Sequence, residues 1–226
     1  MITKQSENTP IGVFDSGLGG LTVLRSLEKI LPNESFIYFG DTAHVPYGTK
    51  STETVTKYSK NIMDFFIQHE TKAIVIACNT ASSVALNHLK NIYDIPLFDV
   101  VSPSVEYSMK ISKNNKIGVI GTTSTIHSKA YSCMFAKFSS KYSIYELQCP
   151  LFVPIIEEGW SDSPVAKQIA TIYLHDFTNK NIDTLILGCT HYPIMANTIK
   201  SVLSKNIQLV HSGETVGYKL LNYLKK

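Results

Sequence analysis

Short apolar runs rich in β-branched and aromatic residues alternate with stretches of helical periodicity along nearly the whole chain. The runs Ile11 to Phe14, Phe36 to Phe39, Ala73 to Ala77, Leu97 to Val100, Ile117 to Ile120, Ser143 to Leu147, Thr184 to Leu187 and Ile207 to Val210 read as strands. Between them the pattern turns amphipathic. From Ser51 to His69, Val55, Tyr58, Ile62, Phe65 and Phe66 advance in steps of three and four and share one helical face. After DSGLGG the helix presents Leu21, Leu24 and Leu27, and the last segment presents Val216, Leu220 and Leu224. This alternation predicts an α/β fold with largely parallel sheets flanked by helices.

The chain also echoes itself. PIGVFDSG near the start is similar to KIGVIGTT at 116–123, and AIVIACNT at 73–80 is similar to TLILGCTH at 184–191. The order is the same in both halves, and the separations match closely: 66 residues from Gly12 to Cys78, 71 from Gly118 to Cys189. Two pseudo-symmetric domains follow, unless the echo only reflects turns that parallel-strand proteins share. The boundary is expected near Val101 to Ser104, where Ser102 and Pro103 interrupt the pattern.

With 226 residues, 44% of them hydrophobic, the chain can bury a real core. Its formal charge of +3 is spread over isolated lysines; Arg25 is the only arginine, and no basic block is longer than Lys225 and Lys226. That leaves no electrostatic footprint for nucleic acid. The longest apolar runs fall far short of the roughly 20 residues that cross a bilayer, so no membrane partner is expected. The opening MITKQSENTP lacks the charged start and apolar stretch of a secretory leader, which points to the cytoplasm. Four cysteines (Cys78, Cys133, Cys149 and Cys189) are too sparse for a disulfide framework, so free thiols are expected.

Cys78 and Cys189 each follow an apolar strand and one small residue, at the strand ends where α/β sheets bind ligands. A thiol beside a helix N-terminus has its thiolate favoured. The plain alternative is that each is a small buried hydrophobe. Two thiols in matching halves suit inversion of a stereocentre, which needs one group to take a proton from one face and another to return a proton to the opposite face. Asp15, ending the first strand, reads as a general-base helper or a partner for a substrate ammonium, with Ser16 as donor, or as a helix cap. Gly17, Gly19 and Gly20 do not form a dinucleotide-binding turn, and a carboxylate at its mouth repels phosphate. His191, beside Cys189, can set that thiol's protonation. Zinc is a weak rival because neither C-x-x-C nor H-x-x-x-H occurs. A cysteine hydrolase using His191 is another, but it leaves one of the two cysteines unexplained.

IGVFDSGLGGLTV, YFGDTAHVPYGTKS, VIACNTAS, VVSPS, IGVIGTTSTI, CPLFVPIIEEG and DTLILGCTHYPI, in this order from residue 11 to about residue 215, resemble the successive signature segments of bacterial glutamate racemases. The resemblance implies a two-domain Asp/Glu racemase fold with its active site in the interdomain cleft, and no metal, flavin or pyridoxal phosphate. It implies that the C-terminal helix returns to the first domain, giving a discontinuous domain of 1–101 with 212–226 and a second of 102–211. By matching segments, Cys78 and Cys189 are the proton donors and acceptors, with Asp15, Glu157 and His191, and in some members Asp41, assisting. Ser16, Tyr47, Gly48, Asn79, Thr80, Thr190 and His191 together with Asp15 bind glutamate, and Pro46, Thr122 and Thr125 complete the expected substrate contacts. A homodimer, and D-glutamate supply for peptidoglycan, are implied with it.

The matched segments contain no arginine, so the two carboxylates of glutamate must be held by backbone N–H groups and the hydroxyls of Ser16, Thr80, Thr122, Thr125 and Thr190. Three departures stand out. Ser124 replaces a common glycine and narrows its loop, His211 replaces a common aspartate and is given no catalytic role, and the chain is short for the family, mostly in its second half. Trp160 is expected to pack, Cys133 and Cys149 to be core, and His44 either to line the cleft or to be satisfied by backbone. The rival activities are racemisation of aspartate or another small amino acid, and a catalytically silent amino-acid-binding module.

Overall fold

The computed structural model describes residues 9–225; most of the N-terminal segment read above for a leader, and Lys226, lie outside the described residues. The first half runs β1 (Ile11–Asp15), α1 (Leu21–Ile30), β2 (Phe36–Gly40), α2 (Thr52–Gln68), β3 (Ala73–Ile76), α3 (Asn79–Val84), α4 (Leu86–Ile92) and β4 (Leu97–Asp99). Then follow α5 (Val101–Ile111), β5 (Lys116–Gly121), α6 (Thr123–His127), α7 (Ala130–Phe138), β6 (Ser143–Gln148), α8 (Phe152–Glu157), α9 (Pro164–Thr178), β7 (Thr184–Gly188), α10 (Ala196–Val202), β8 (Gln208–His211) and α11 (Ser212–Leu224). Each predicted strand is present, within about a residue of its expected ends.

The strands form two all-parallel sheets, ordered β2-β1-β3-β4 and β6-β5-β7-β8. The order is the same in both. Gly12 pairs with Ile37 and Ile74, and Gly118 with Tyr145 and Leu185, so the echoing segments occupy matching registers. The central strands are buried on both faces, as parallel sheets covered by helices require. Phe14, Ile74 and Ile76 pack against α2 to α4, while Ile11, Val13 and Val75 on the opposite face pack against α1 and α11. In the second sheet Leu185 and Leu187 meet α8, α9 and α10, and Ile117, Val119 and Ile186 meet α5 and α7.

Two local expectations need correction. On α1 the buried stripe is Val23 and Leu27, while Leu21, in the first turn, is exposed. Ser102 and Pro103 do not break the chain into a linker; they lie in the first turn of α5. There a proline costs little, because the leading N–H groups of a helix have no partner within it. Asp99 caps that turn, accepting from the N–H groups of Val101 at 2.9 Å and Ser102 at 2.7 Å. At the other end of the chain Val216 and Leu220 of α11 join the cluster of Val23, Leu27 and β1, so the last helix packs on the first sheet.

Candidate active site

In both sheets the chain crosses from one side to the other between the two central strands, which opens a crevice at their carboxyl ends. The two crevices face each other and share a cavity of about 230 Å³. It is smaller than the roughly 300–1,000 Å³ of sites for drug-sized ligands, and so suits a compact metabolite. Cys78 and Cys189 both line it, with Ser16 and Thr122 at the ends of the neighbouring central strands. Asn79, Thr80, Thr190, His191, Glu157 and the loop Pro46 to Gly48 also line it. The sequence reading missed Val45, Thr49 and Thr123, and an apolar wall of Pro150, Val153 and Pro154. A signal for that wall existed, since these residues follow the carboxyl end of β6.

Cys78 caps α3: its sulfur accepts from the Ala81 N–H at 3.5 Å and lies 3.7 Å from the Ser16 hydroxyl. The thiolate is nevertheless not favoured, contrary to the expectation from the helix end. Burial pushes the thiol from its ordinary 9.0 to about 12, and the nearby Asp15 carboxylate adds to the rise, against the opposing N–H groups of Ala81 and Ser16. Six residues of helix do not offset that desolvation. Cys189 follows the same pattern. Burial raises it strongly, Asp15 and Cys78 add to this, and the N–H groups of His191 and Tyr192 oppose it. Its sulfur lies 3.9 Å from Nδ1 of His191, whose Nε2 meets Glu157 Oε1 at 3.1 Å.

Asp15 does not line the cavity. It is fully buried under the turn that follows β1, where Oδ2 accepts from the N–H groups of Gly17 at 3.1 Å and Gly20 at 3.0 Å. Oδ1 accepts from the Thr190 hydroxyl at 3.3 Å, across the junction of the halves. Burial raises its carboxyl above the usual range, with the His191 charge opposing. Thr125 likewise is fully buried and does not line the cavity. Its hydroxyl closes a triangle with Thr80 at 3.3 Å and Thr122 at 3.0 Å, while Thr80 and Thr122 are 3.0 Å apart. The hydroxyl of Tyr47 donates to Asp41 Oδ2 at 2.6 Å, which fixes the loop that enters the cavity. His44 neither lines the cleft nor relies on backbone: its Nδ1 meets Asp41 Oδ1 at 2.7 Å and its ring stacks on Tyr58.

Away from the cavity, Cys149 is buried as expected but Cys133 is exposed on α7, and Trp160 is 52% exposed rather than packed. His211 is half-buried in a separate groove beside Glu214, and burial lowers its pKa. Among the described residues no group of three or more His, Cys, Asp or Glu side chains is placed to hold a metal ion, and no helix is long and apolar enough to cross a membrane.

The model of the Asp/Glu/hydantoin racemase family matches residues 11–216. A glutamate racemase of Thermoanaerobacter pseudethanolicus is 45% identical over 220 residues, covering 97% of this chain and 82% of the relative. Among solved structures, a glutamate racemase of Bacillus anthracis superposes with a TM-score of 0.95 at 36% identity, covering 97% of this chain and 83% of that one. A glutamate racemase of Francisella tularensis, solved in complex with D-glutamate, gives 0.92 at 42% identity, covering 97% and 82%.

Proposed function

Because the chain belongs to the Asp/Glu/hydantoin racemase family, we propose that it is a glutamate racemase, an isomerase interconverting L- and D-glutamate through Cys78 and Cys189. The observation that carries this reading is that both thiols line one small cavity, each at the carboxyl end of a central strand in matching halves. A hydrolase needs only one of them.

In the proposed reaction one sulfur, as thiolate, removes the α-proton, and the opposite thiol delivers its proton to the other face of the carbanion. The roles are exchanged when the product returns. Negative charge on Cys78 raises Cys189, so the two are disfavoured as thiolates at once and one of them keeps the proton to be delivered. Desolvation that lifts Cys78 to about 12 makes its thiolate scarce at neutral pH but strongly basic once formed, which suits a weak carbon acid. His191, oriented by Glu157, is placed to exchange a proton with Cys189. We assign Asp15 to holding the Ser16 to Gly20 turn and Thr190 in place, and the hydroxyls of Ser16, Thr80, Thr122 and Thr190 to the substrate's carboxylates.

The packing of α11 against α1 and β1 supports dividing the chain into 1–101 with 212–226 and 102–211. The family further suggests a homodimer in the cytoplasm whose D-glutamate feeds peptidoglycan, which complementation of a D-glutamate auxotroph examines. Purified protein without added cofactor should change the circular dichroism of either glutamate enantiomer, and do so faster than with aspartate. It should also place deuterium at the α-carbon in heavy water. Binding without exchange means a silent binding module, and near-normal turnover in Cys78→Ala or Cys189→Ala removes that thiol from the mechanism.

A further inference from the structure

Tyr131, on α7, is fully buried, with its ring locked in the second-half cluster of Ile126, Phe135 and Ile186. Its hydroxyl leaves that cluster and reaches the first half, where it accepts from Asn79 Nδ2 at 2.9 Å. Asn79 is the residue after Cys78. On the other side the phenol lies against the residue before Cys189: a Cβ built on Gly188 would come 3.3 Å from Tyr131 Cε2 and 3.4 Å from its oxygen. Asn79 Nδ2 also donates to Ser212 Oγ at 3.3 Å, and Ser212 Oγ donates to the Leu187 carbonyl, two residues before Cys189, at 3.2 Å. One phenol is thus wedged between the backbone segments that carry the two thiols, and a buried polar chain ties each segment to it.

We propose that Tyr131 is a positioning residue that sets the spacing between Cys78 and Cys189 across the substrate carbon. The inference rests on the two-thiol reading above. The two groups must reach opposite faces of one atom, and rate depends steeply on such placement, with an error of about 1 Å costing on the order of 100-fold. A buried hydrogen-bonded network holds a distance where apolar packing alone lets side chains slide. Tyr131 touches neither the cavity nor a sulfur, so its effect passes through Asn79 and Gly188.

Tyr131→Phe keeps the ring and removes the hydroxyl that accepts from Asn79. The expected result is a fall in kcat of ten-fold or more in both directions, with KM for glutamate within about threefold. The specific readout is the isotope pattern in heavy water. Deuterium in the inverted product reports delivery by the opposite thiol, whereas deuterium in recovered substrate reports return to the same face after solvent exchange. Loosened spacing should raise the ratio of the second to the first several-fold. Ser212→Ala, which removes the Ser212 links to Asn79 and Leu187 but leaves the bond from Asn79 to Tyr131, should move the ratio in the same direction by less, and serves if the phenylalanine variant does not fold. An unchanged ratio in a folded variant overturns the proposal, whether or not kcat falls. If the unmodified protein shows no α-proton exchange, it is the racemase reading that fails.

Discussion

A cysteine's usefulness as a base is set by two quantities that move in opposite directions, how often it is ionised and how basic it is when ionised. At Cys78 and Cys189 the balance lies toward scarcity and strength, because desolvation raises both thiols and the helix ends do not reverse it. The sequence shows why each sulfur sits at a strand end; it does not show how dry the place is, since that depends on residues distant in the chain, as Asp15 is from Cys189. This has a chemical consequence. Thiolate, not thiol, reacts with iodoacetamide, so in the ligand-free protein at pH 7.5 the exposed Cys133 should be alkylated well before Cys78 or Cys189. The rate at Cys78 should climb about tenfold per pH unit from pH 8 toward 10, since ionisation remains far from complete below about 12. Peptide mapping by mass spectrometry follows each site. Alkylation of Cys78 as fast as Cys133 at neutral pH would mean that the thiolate is favoured after all.

Among the elements, the two central strands β1 and β5 use glycine at the same register for the same reason, yet with unequal tolerance. A Cβ on Gly12 would meet three atoms of the Phe66 ring at 2.7 to 3.0 Å, and Phe66 is fully buried between β1 and α2. A Cβ on Gly118 would crowd the terminal methyls of Ile182 and Leu185, at 2.7 and 2.9 Å, and meet Phe177 Cζ at an ordinary 3.4 Å. A flat ring in a packed core has nowhere to turn, while a terminal methyl can change rotamer. Gly12→Ala should therefore cost about 1–3 kcal/mol of stability and Gly118→Ala clearly less, read from urea unfolding. Equal losses would mean that the two faces are packed alike. The strands themselves were legible because a parallel sheet buried on both faces writes a continuous apolar run. Helix faces were less so: Leu21 fits the spacing of α1 but lies in its first turn, before the helix meets the sheet. Ser16, Thr80 and Thr190 were legible as cavity residues because they flank the strand ends, whereas Asp15 and Thr125 point into the loops behind. A single step along a tight turn decides between those outcomes, and periodicity does not resolve it. The wall of Val153 and Pro154 carried no polar chemistry to mark it.

As a whole molecule, the protein is a near-symmetric scaffold carrying an asymmetric site. Ser16 with Cys78 corresponds to Thr122 with Cys189, but Asp15 corresponds to Gly121 and Thr80 to His191, so the buried carboxylate belongs to one half and the imidazole to the other. The cavity exists only while the halves stay closed on each other, and one contact holding them together is compact. The Thr22 hydroxyl on α1 donates to the Thr190 carbonyl at 2.7 Å, with the Gly19 carbonyl at 2.9 Å as its alternative acceptor. Thr22→Val keeps the shape and removes that bond. A net loss of about 1 kcal/mol in the closed state changes the ratio of closed to open molecules about fivefold. On the proposed reading glutamate contacts both halves and so binds the closed form, and saturating substrate then restores closure by mass action. The expected outcome is therefore a KM for glutamate raised up to about fivefold with kcat nearly retained, the reverse of the Tyr131→Phe signature. A variant that lost kcat at saturation while keeping KM would show that Thr22 shapes the chemical step itself, and the picture of two halves drawn together by their substrate would have to be given up.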